Sequence, residues 1–205
     1  MEMDRYASNM KRVGILGGTF DPVHNAHLVL ARAALSQAQL DCILFIPTGL
    51  PVRKLTSTEA SPLDRLNMLQ IACEDTKEFI VSSIEIDRPQ ITYTIDTLRE
   101  LKLKYGAESE LFLVLGEDTA RDIPTWKEAS EIAKLAQVLY AKRPGGTNES
   151  NELPQGFTFF EIDLSPMDLS SSFIRMLLHE GEDVSAYVPT KVLSYIKEHR
   201  LYGQS

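Results

Sequence analysis

Two histidines three residues apart, His24 and His27, follow a small-residue run, Gly17-Gly18-Thr19-Phe20-Asp21-Pro22. That combination suits an anion. Glycines let a chain turn sharply and bring its backbone close to a ligand. A helix opening just beyond them offers unpaired N–H groups and a positive dipole end. Residues spaced i, i+3 share one helical face, and each imidazole can donate a ring N–H to a phosphate oxygen. A Gly-Gly pair alone reads equally well as a plain tight turn. Zinc is the rival for the histidines, but a third ligand is missing. The other two histidines, His179 and His199, lie near predicted helix ends without supporting cysteines. No G-x-x-x-x-G-K-[ST] occurs, so this is not a P-loop. No G-x-G-x-x-G occurs either, and the second strand ends in Pro47 rather than an acid. The usual dinucleotide-binding mode is therefore disfavoured.

A second candidate lies far downstream. Ser170-Ser171-Ser172 precede Phe173-Ile174-Arg175. Serines at a helix start cap it and present hydroxyl and backbone donors. Arg175, one turn in, has a planar fork that matches phosphate oxygens. Taken alone, this is also what an ordinary capped helix with an exposed arginine looks like.

The elements that must position these groups follow from hydrophobic pattern. Short apolar runs at Arg12–Gly17, Cys42–Pro47, Phe79–Ile86, Glu110–Leu115, Gln137–Lys142 and Phe157–Ile162 read as buried strands. Between them lies a helix to about Gln39, with Leu28, Ala31, Leu35 and Ala38 on one face. A second runs from Pro62, capped by Ser61, to about Asp75. A third, capped by Thr94, ends before Gly106. Helices near Ser172–His179 and Thr190–His199 complete the pattern. Alternation of this kind predicts an α/β, Rossmann-like, doubly wound and mainly parallel sheet with helices on both faces, ligands sitting at the strands' carboxyl ends. One domain over residues 10–205 is expected, the helical segment of about 166–203 belonging to it. Residues 1–9 read as an extension, and Arg143–Gly156 as a polar loop.

Composition narrows the class. Hydrophobic residues make up 43% and charged residues 24% of 205, which excludes disordered and fibrous readings. A net charge of −8 argues against nucleic-acid binding through a basic surface. No apolar run approaches membrane-spanning length. Cys42 and Cys73 sit in apolar segments without metal or redox spacing, so buried free thiols in a reducing compartment are expected.

Gly17–His27 resembles the nucleotidylyltransferase motif G-G-T-F-D-P-x-H-x-G-H, with Ala26 in place of the second glycine. Leu169–Arg175 is similar to that superfamily's S-S-T-x-I-R, Ser172 standing for threonine. Further stretches resemble its nicotinate-nucleotide adenylyltransferase family. Pro47–Lys54 is similar to P-x-x-x-P-P-H-K, with Val52 and Arg53 departing from proline and histidine. Arg65–Leu69, Tyr93–Leu98, Leu115–Asp118, Pro124–Trp126 and Arg143–Gly145 match later segments, and the likeness runs from Arg12 to Tyr202.

The resemblance implies an enzyme that transfers the adenylyl group of ATP to nicotinate mononucleotide, releasing pyrophosphate, in NAD biosynthesis. It implies catalytic roles for His24, His27, Lys54 and Arg175. ATP would lie on Gly17, Gly18, Thr19, Phe20, His24, His27, Gly116, Asp118, Ser170, Ser171, Ser172 and Arg175. The acceptor would lie on Lys54, Thr94, Trp126 and Arg143, with Trp126 stacked on the pyridine ring and Thr94 donating to the nicotinate carboxylate. Asp21 would organise the turn without touching substrate. Mg²⁺ would travel on the ATP phosphates, with no metal ligand from the protein. Neither nucleic acid nor membrane is expected as a partner; a cytoplasmic setting and compatibility with a homo-oligomer are. The alternatives are the same chemistry on nicotinamide mononucleotide or another phosphate acceptor, and a non-catalytic nucleotide-binding module.

Overall fold

The computed structural model describes residues 11–49, 58–142, 152–165, 167 and 169–203. Lys54 and Arg143, and the expected extension over residues 1–9, lie outside them.

Six strands form one sheet: β1 (Arg12–Gly18), β2 (Cys42–Pro47), β3 (Phe79–Val81), β4 (Glu110–Gly116), β5 (Ala136–Ala141) and β6 (Phe159–Ile162). Every pairing is parallel, in the order β3-β2-β1-β4-β5-β6. The order reverses between β1 and β4, and a crevice opens at such a switch point. Strands buried on both faces need unbroken apolar runs, and β2 (CILFIP) is buried throughout. Its Cys42, Leu44 and Ile46 pack on one face with Ile95, Leu98 and Leu101 of α3 (Thr94–Tyr105). Ile43 and Phe45 pack on the other, with Leu28 of α1 (Asn25–Gln37), Met68 of α2 (Pro62–Cys73), Ile174 of α6 (Ser171–His179) and Val192 of α7 (Thr190–Glu198). Among the described residues no helix is long and apolar enough to cross a membrane. Both cysteines are buried free thiols, each held up at about 12 by desolvation.

Several boundaries differ from the expected ones. β3 ends at Val81 rather than Ile86. Ser82 N–H makes a last bond to Phe45 O at 3.0 Å, after which Asp87 N–H donates to Ser83 O at 2.9 Å and closes a turn. β6 starts at Phe159 rather than Phe157. Thr94 is the first residue of α3, not its cap; Tyr93 holds the cap position. Two short helices had no periodicity long enough to show: α4 (Glu117–Asp122) and α5 (Ala129–Leu135), joined by a 3-10 turn at Ile123–Thr125 and Trp126.

Candidate active site at the carboxyl edge of the sheet

The expected sharp bend at the glycines sits two residues later. The left-handed residue is Phe20, with φ of 50°. Gly17 serves space instead: a Cβ there would meet no neighbour within 4 Å, so its bareness faces open volume. Phe20, 1% exposed, packs edge-on against the His27 ring at 4.9 Å.

His24 is the N-cap of α1 and extended (φ −143°, ψ 170°), not a residue of its first turn as expected. The two rings still stack, 3.7 Å apart and 23° from parallel. His24 N–H donates to His27 Nδ1 at 3.2 Å. That bond fixes the His27 tautomer: Nδ1 accepts, so Nε2 carries the proton and is the ring's donor. His24 Nδ1 is buried without a hydrogen-bond partner. Burial holds His24 at about 4 and His27 well below the usual imidazole value, the His24 charge adding to the second shift. Both rings are neutral near pH 7, so they act as N–H donors rather than cations.

Asp21 organises this turn. It is 1% exposed. Its carboxylate accepts from Glu59 N–H at 2.8 Å, Ala60 N–H at 3.0 Å and the Tyr202 hydroxyl at 2.7 Å. The second serine motif docks onto the same turn. Ser171 Oγ donates to Pro22 O at 2.9 Å, and Arg175 Nη1 donates to Asp21 O at 2.8 Å. Ser170, as N-cap of α6, accepts from Phe173 N–H at 3.2 Å. The two motifs, about 150 residues apart in sequence, are thus one unit. Arg175 also donates from Nε to Glu59 Oε1 at 2.9 Å, and His179 Nε2 meets Glu59 Oε2 at 2.7 Å. The fork of Arg175 is therefore shared with the protein rather than wholly exposed to a ligand.

A cavity of about 710 Å³ opens beside Gly17 and Gly18, over the ends of β1, β2 and β4. Of the expected site residues it takes in Gly17, Gly18, Thr94 and Trp126. The histidines, Ser170–Ser172 and Arg175 do not line it, nor do Gly116 and Asp118. Gly116 is the exposed N-cap of α4 and Asp118 lies in that helix's first turn, whereas Thr119 and Asp122 of the same helix do line the cavity. Trp126 is half-buried. Tyr93 brings no side-chain cap to α3, so the N–H groups of Thr94 and Ile95 have no partner within the helix.

Sequence reasoning missed Glu85 and Lys127, which also line this cavity. Glu85 accepts from Thr97 Oγ1 at 2.9 Å and Thr92 Oγ1 at 3.2 Å, and burial raises its carboxyl. It was hidden inside a segment that reads as strand. Lys127 Nζ lies 4.2 Å over the Tyr93 ring. Glu59 carried no motif signal either. Among the described residues no group of three or more His, Cys, Asp or Glu is arranged to hold a metal ion.

Comparison with known proteins agrees with this architecture. The cytidylyltransferase-like family model matches residues 15–177. A probable nicotinate-nucleotide adenylyltransferase of Dehalococcoides mccartyi is 43% identical over 197 residues, covering 93% of this chain and 97% of its own length. Another, from a Geobacter species, is 40% identical over 212 residues, covering 93% and 98%. A solved structure, Plasmodium falciparum nicotinic acid mononucleotide adenylyltransferase complexed with NaAD, has a TM-score of 0.80 over 95% of this chain and 98% of that one. At 21% identity that last likeness is one of fold.

Proposed function

Because the chain belongs to the cytidylyltransferase-like family, and within it to the nicotinate-nucleotide adenylyltransferases, we propose that it joins the adenylyl group of ATP to nicotinate mononucleotide. One observation carries the reading. A stacked, neutral histidine pair, the His27 tautomer fixed, follows a turn that is bonded to a serine–arginine helix start, and the sheet edge that carries this turn opens a cavity with an aromatic face and a bare helix end.

The acceptor's 5′-phosphate attacks the α-phosphorus of ATP in line. A P–O bond forms there, the bond to the β-phosphate's bridging oxygen breaks, and pyrophosphate leaves. The nucleophile is already an anion, so no general base is needed. The protein's work is placement and charge stabilisation. His27 Nε2–H and the other ring donate to α- and β-phosphate oxygens, with Thr19 and the Phe20 backbone beside them. Ser170, Ser171, Ser172 and Arg175 serve the β- and γ-phosphates, Arg175 turning part of its fork from Glu59. Gly116 and Asp118, at the start of α4, are assigned to the adenosine side. Mg²⁺ carried on the ATP phosphates would neutralise charge there; Asp21, the carboxylate at the turn, is taken by two amides and a hydroxyl.

On the acceptor side, Trp126 stacks on the electron-poor pyridinium face. The N–H groups at the start of α3, together with the Thr94 hydroxyl, receive the nicotinate carboxylate, a fit for a helix's positive end. That favours the acid over the amide. Lys54 is assigned to the acceptor phosphate, and Arg143 to the acceptor. The test is pyrophosphate release with ATP against nicotinate mononucleotide, nicotinamide mononucleotide and pantetheine phosphate. The highest kcat/KM is expected with the acid. A preference for the amide would overturn the carboxylate assignment, and nucleotide binding without any release would overturn the reaction.

A further inference from the structure

Arg65 is 1% exposed, the largest side chain in the fully buried set. It lies on α2 between apolar neighbours, with Met68 and Leu69 on the same buried face. Its guanidinium reaches past them to two backbone carbonyls. Nη1 donates to Thr19 O at 2.7 Å and Nη2 donates to Thr48 O at 2.8 Å. Thr19 is the first residue beyond β1, and Thr48 the first beyond β2. Nε is buried with no partner.

This is an expensive way to fill a core position. Removing a cation from water costs several kcal/mol, and an unpaired buried N–H adds to that. An apolar residue of similar volume would pack there without either penalty. What only a guanidinium supplies is a rigid planar fork, two donors at fixed spacing from one side chain. The carbonyls it ties together belong to the two segments that leave the sheet at the site. Thr19 leads into Phe20, Asp21 and the histidine pair. Thr48 also donates its N–H to Gly18 O at 2.8 Å and leads to Gly49. Gly49 is pinned from the opposite side: a Cβ there would sit 2.1 Å from Glu85 O, on the segment that walls the acceptor cavity.

We propose that Arg65 is a positioning residue that sets the spacing between the nucleotide turn after β1 and the acceptor-side segment after β2. It touches neither substrate. Each segment can bind its own ligand with the spacing wrong, but in-line attack cannot tolerate an error of an ångström between the two phosphates. The loss from altering it therefore falls on turnover and spares the two binding steps. This rests on the proposed reaction.

Arg65→Lys keeps the charge and can satisfy one carbonyl but not both. Expected are a kcat at least about tenfold lower and dissociation constants for ATP and for nicotinate mononucleotide, each measured alone by calorimetry, within threefold of the parent chain. Gly49→Ala displaces the same junction from the other side and should give the same split. A folded Arg65→Lys chain with kcat within twofold overturns the proposal. So does a loss of ATP affinity equal to the loss of kcat, which would make Arg65 a plain support of the nucleotide turn. A variant unfolded at 25 °C overturns it too, since Arg65 would then be a core stabiliser. Absence of transfer in the parent chain instead removes the reaction itself, so the two failures are told apart.

Discussion

The two halves of the site are built in opposite ways. The nucleotide turn is buried and bonded to distant parts of the chain. Asp21, His24 and Phe20 are each under 5% exposed, and partners arrive from Glu59, Ser171, Arg175 and Tyr202. The acceptor cavity is walled by short elements and half-exposed side chains: Trp126 after a 3-10 turn, Thr94 at a bare helix start, and Lys127. Triphosphate geometry is the same in every reaction of this type, so its cradle can be rigid. On the proposed reading, acceptor recognition falls to a few surface groups that can change without disturbing the core. Damage on one side should therefore cost stability and turnover, and on the other only affinity for one ligand.

The largest effect should come from Asp21→Asn. It removes the charge facing Arg175 and turns one of the two acceptor oxygens into an NH2 donor, so that the three donors compete for a single oxygen, costing roughly 3 kcal/mol. The thermal midpoint should fall by about 6–12 °C. A shift below 2 °C would mean the turn is held by something other than this carboxylate.

Acid comes next. His24 sits at about 4 when folded, against about 6.5 when unfolded. Between those values the unfolded chain binds the extra proton and the native chain does not. The contribution is complete above pH 6.5 and is lost as pH falls toward 4, amounting to roughly 3 kcal/mol across that window. Melting curves from pH 7.5 to 4.5 should show the decline, and His24→Asn, a good N-cap residue, should make it shallower, His27 supplying what is left. An unchanged slope would show that the histidine is hydrated.

His27→Ala should lower kcat at least about tenfold, ~1.4 kcal/mol of barrier, with circular dichroism unchanged. Full turnover would remove its role as donor. Smallest in reach is Trp126→Ala. Acceptor affinity should fall roughly tenfold, as for loss of a cation–π face with its buried area, while ATP affinity stays within twofold and the midpoint within a few degrees. Equal loss for both ligands would erase the contrast between the halves.

What could be read in advance follows the same division. Strands β1, β2, β4 and β5 were legible because burial on both faces demands apolar runs, and Ser61-Pro62 or Gly106 announce helix ends through local chemistry. The histidine and serine motifs could be picked out because each is a contiguous stretch of distinctive residue types, and the structure brings the two together. Glu59 and Tyr202 were not, since each acquires its role only when distant segments meet. Arg65 left a faint trace: a lone cation at i relative to Met68 and Leu69, on the face that must be buried. Glu85 was concealed by the reading that extended β3 to Ile86. The acceptor wall was hardest, because α4 and α5 are six and seven residues long, too short for helical periodicity to show.

The bond between the Tyr202 hydroxyl and Asp21, across 181 positions of sequence, bears on how the molecule is assembled. The loop that begins the fold is completed by a side chain from its far end. During synthesis the nucleotide turn, its carboxylate already holding two amides, must wait for its third partner until residue 202 has emerged. Competence for ATP then becomes a late event in folding, and a chain cut short before residue 202 would carry every motif yet lack a settled cradle.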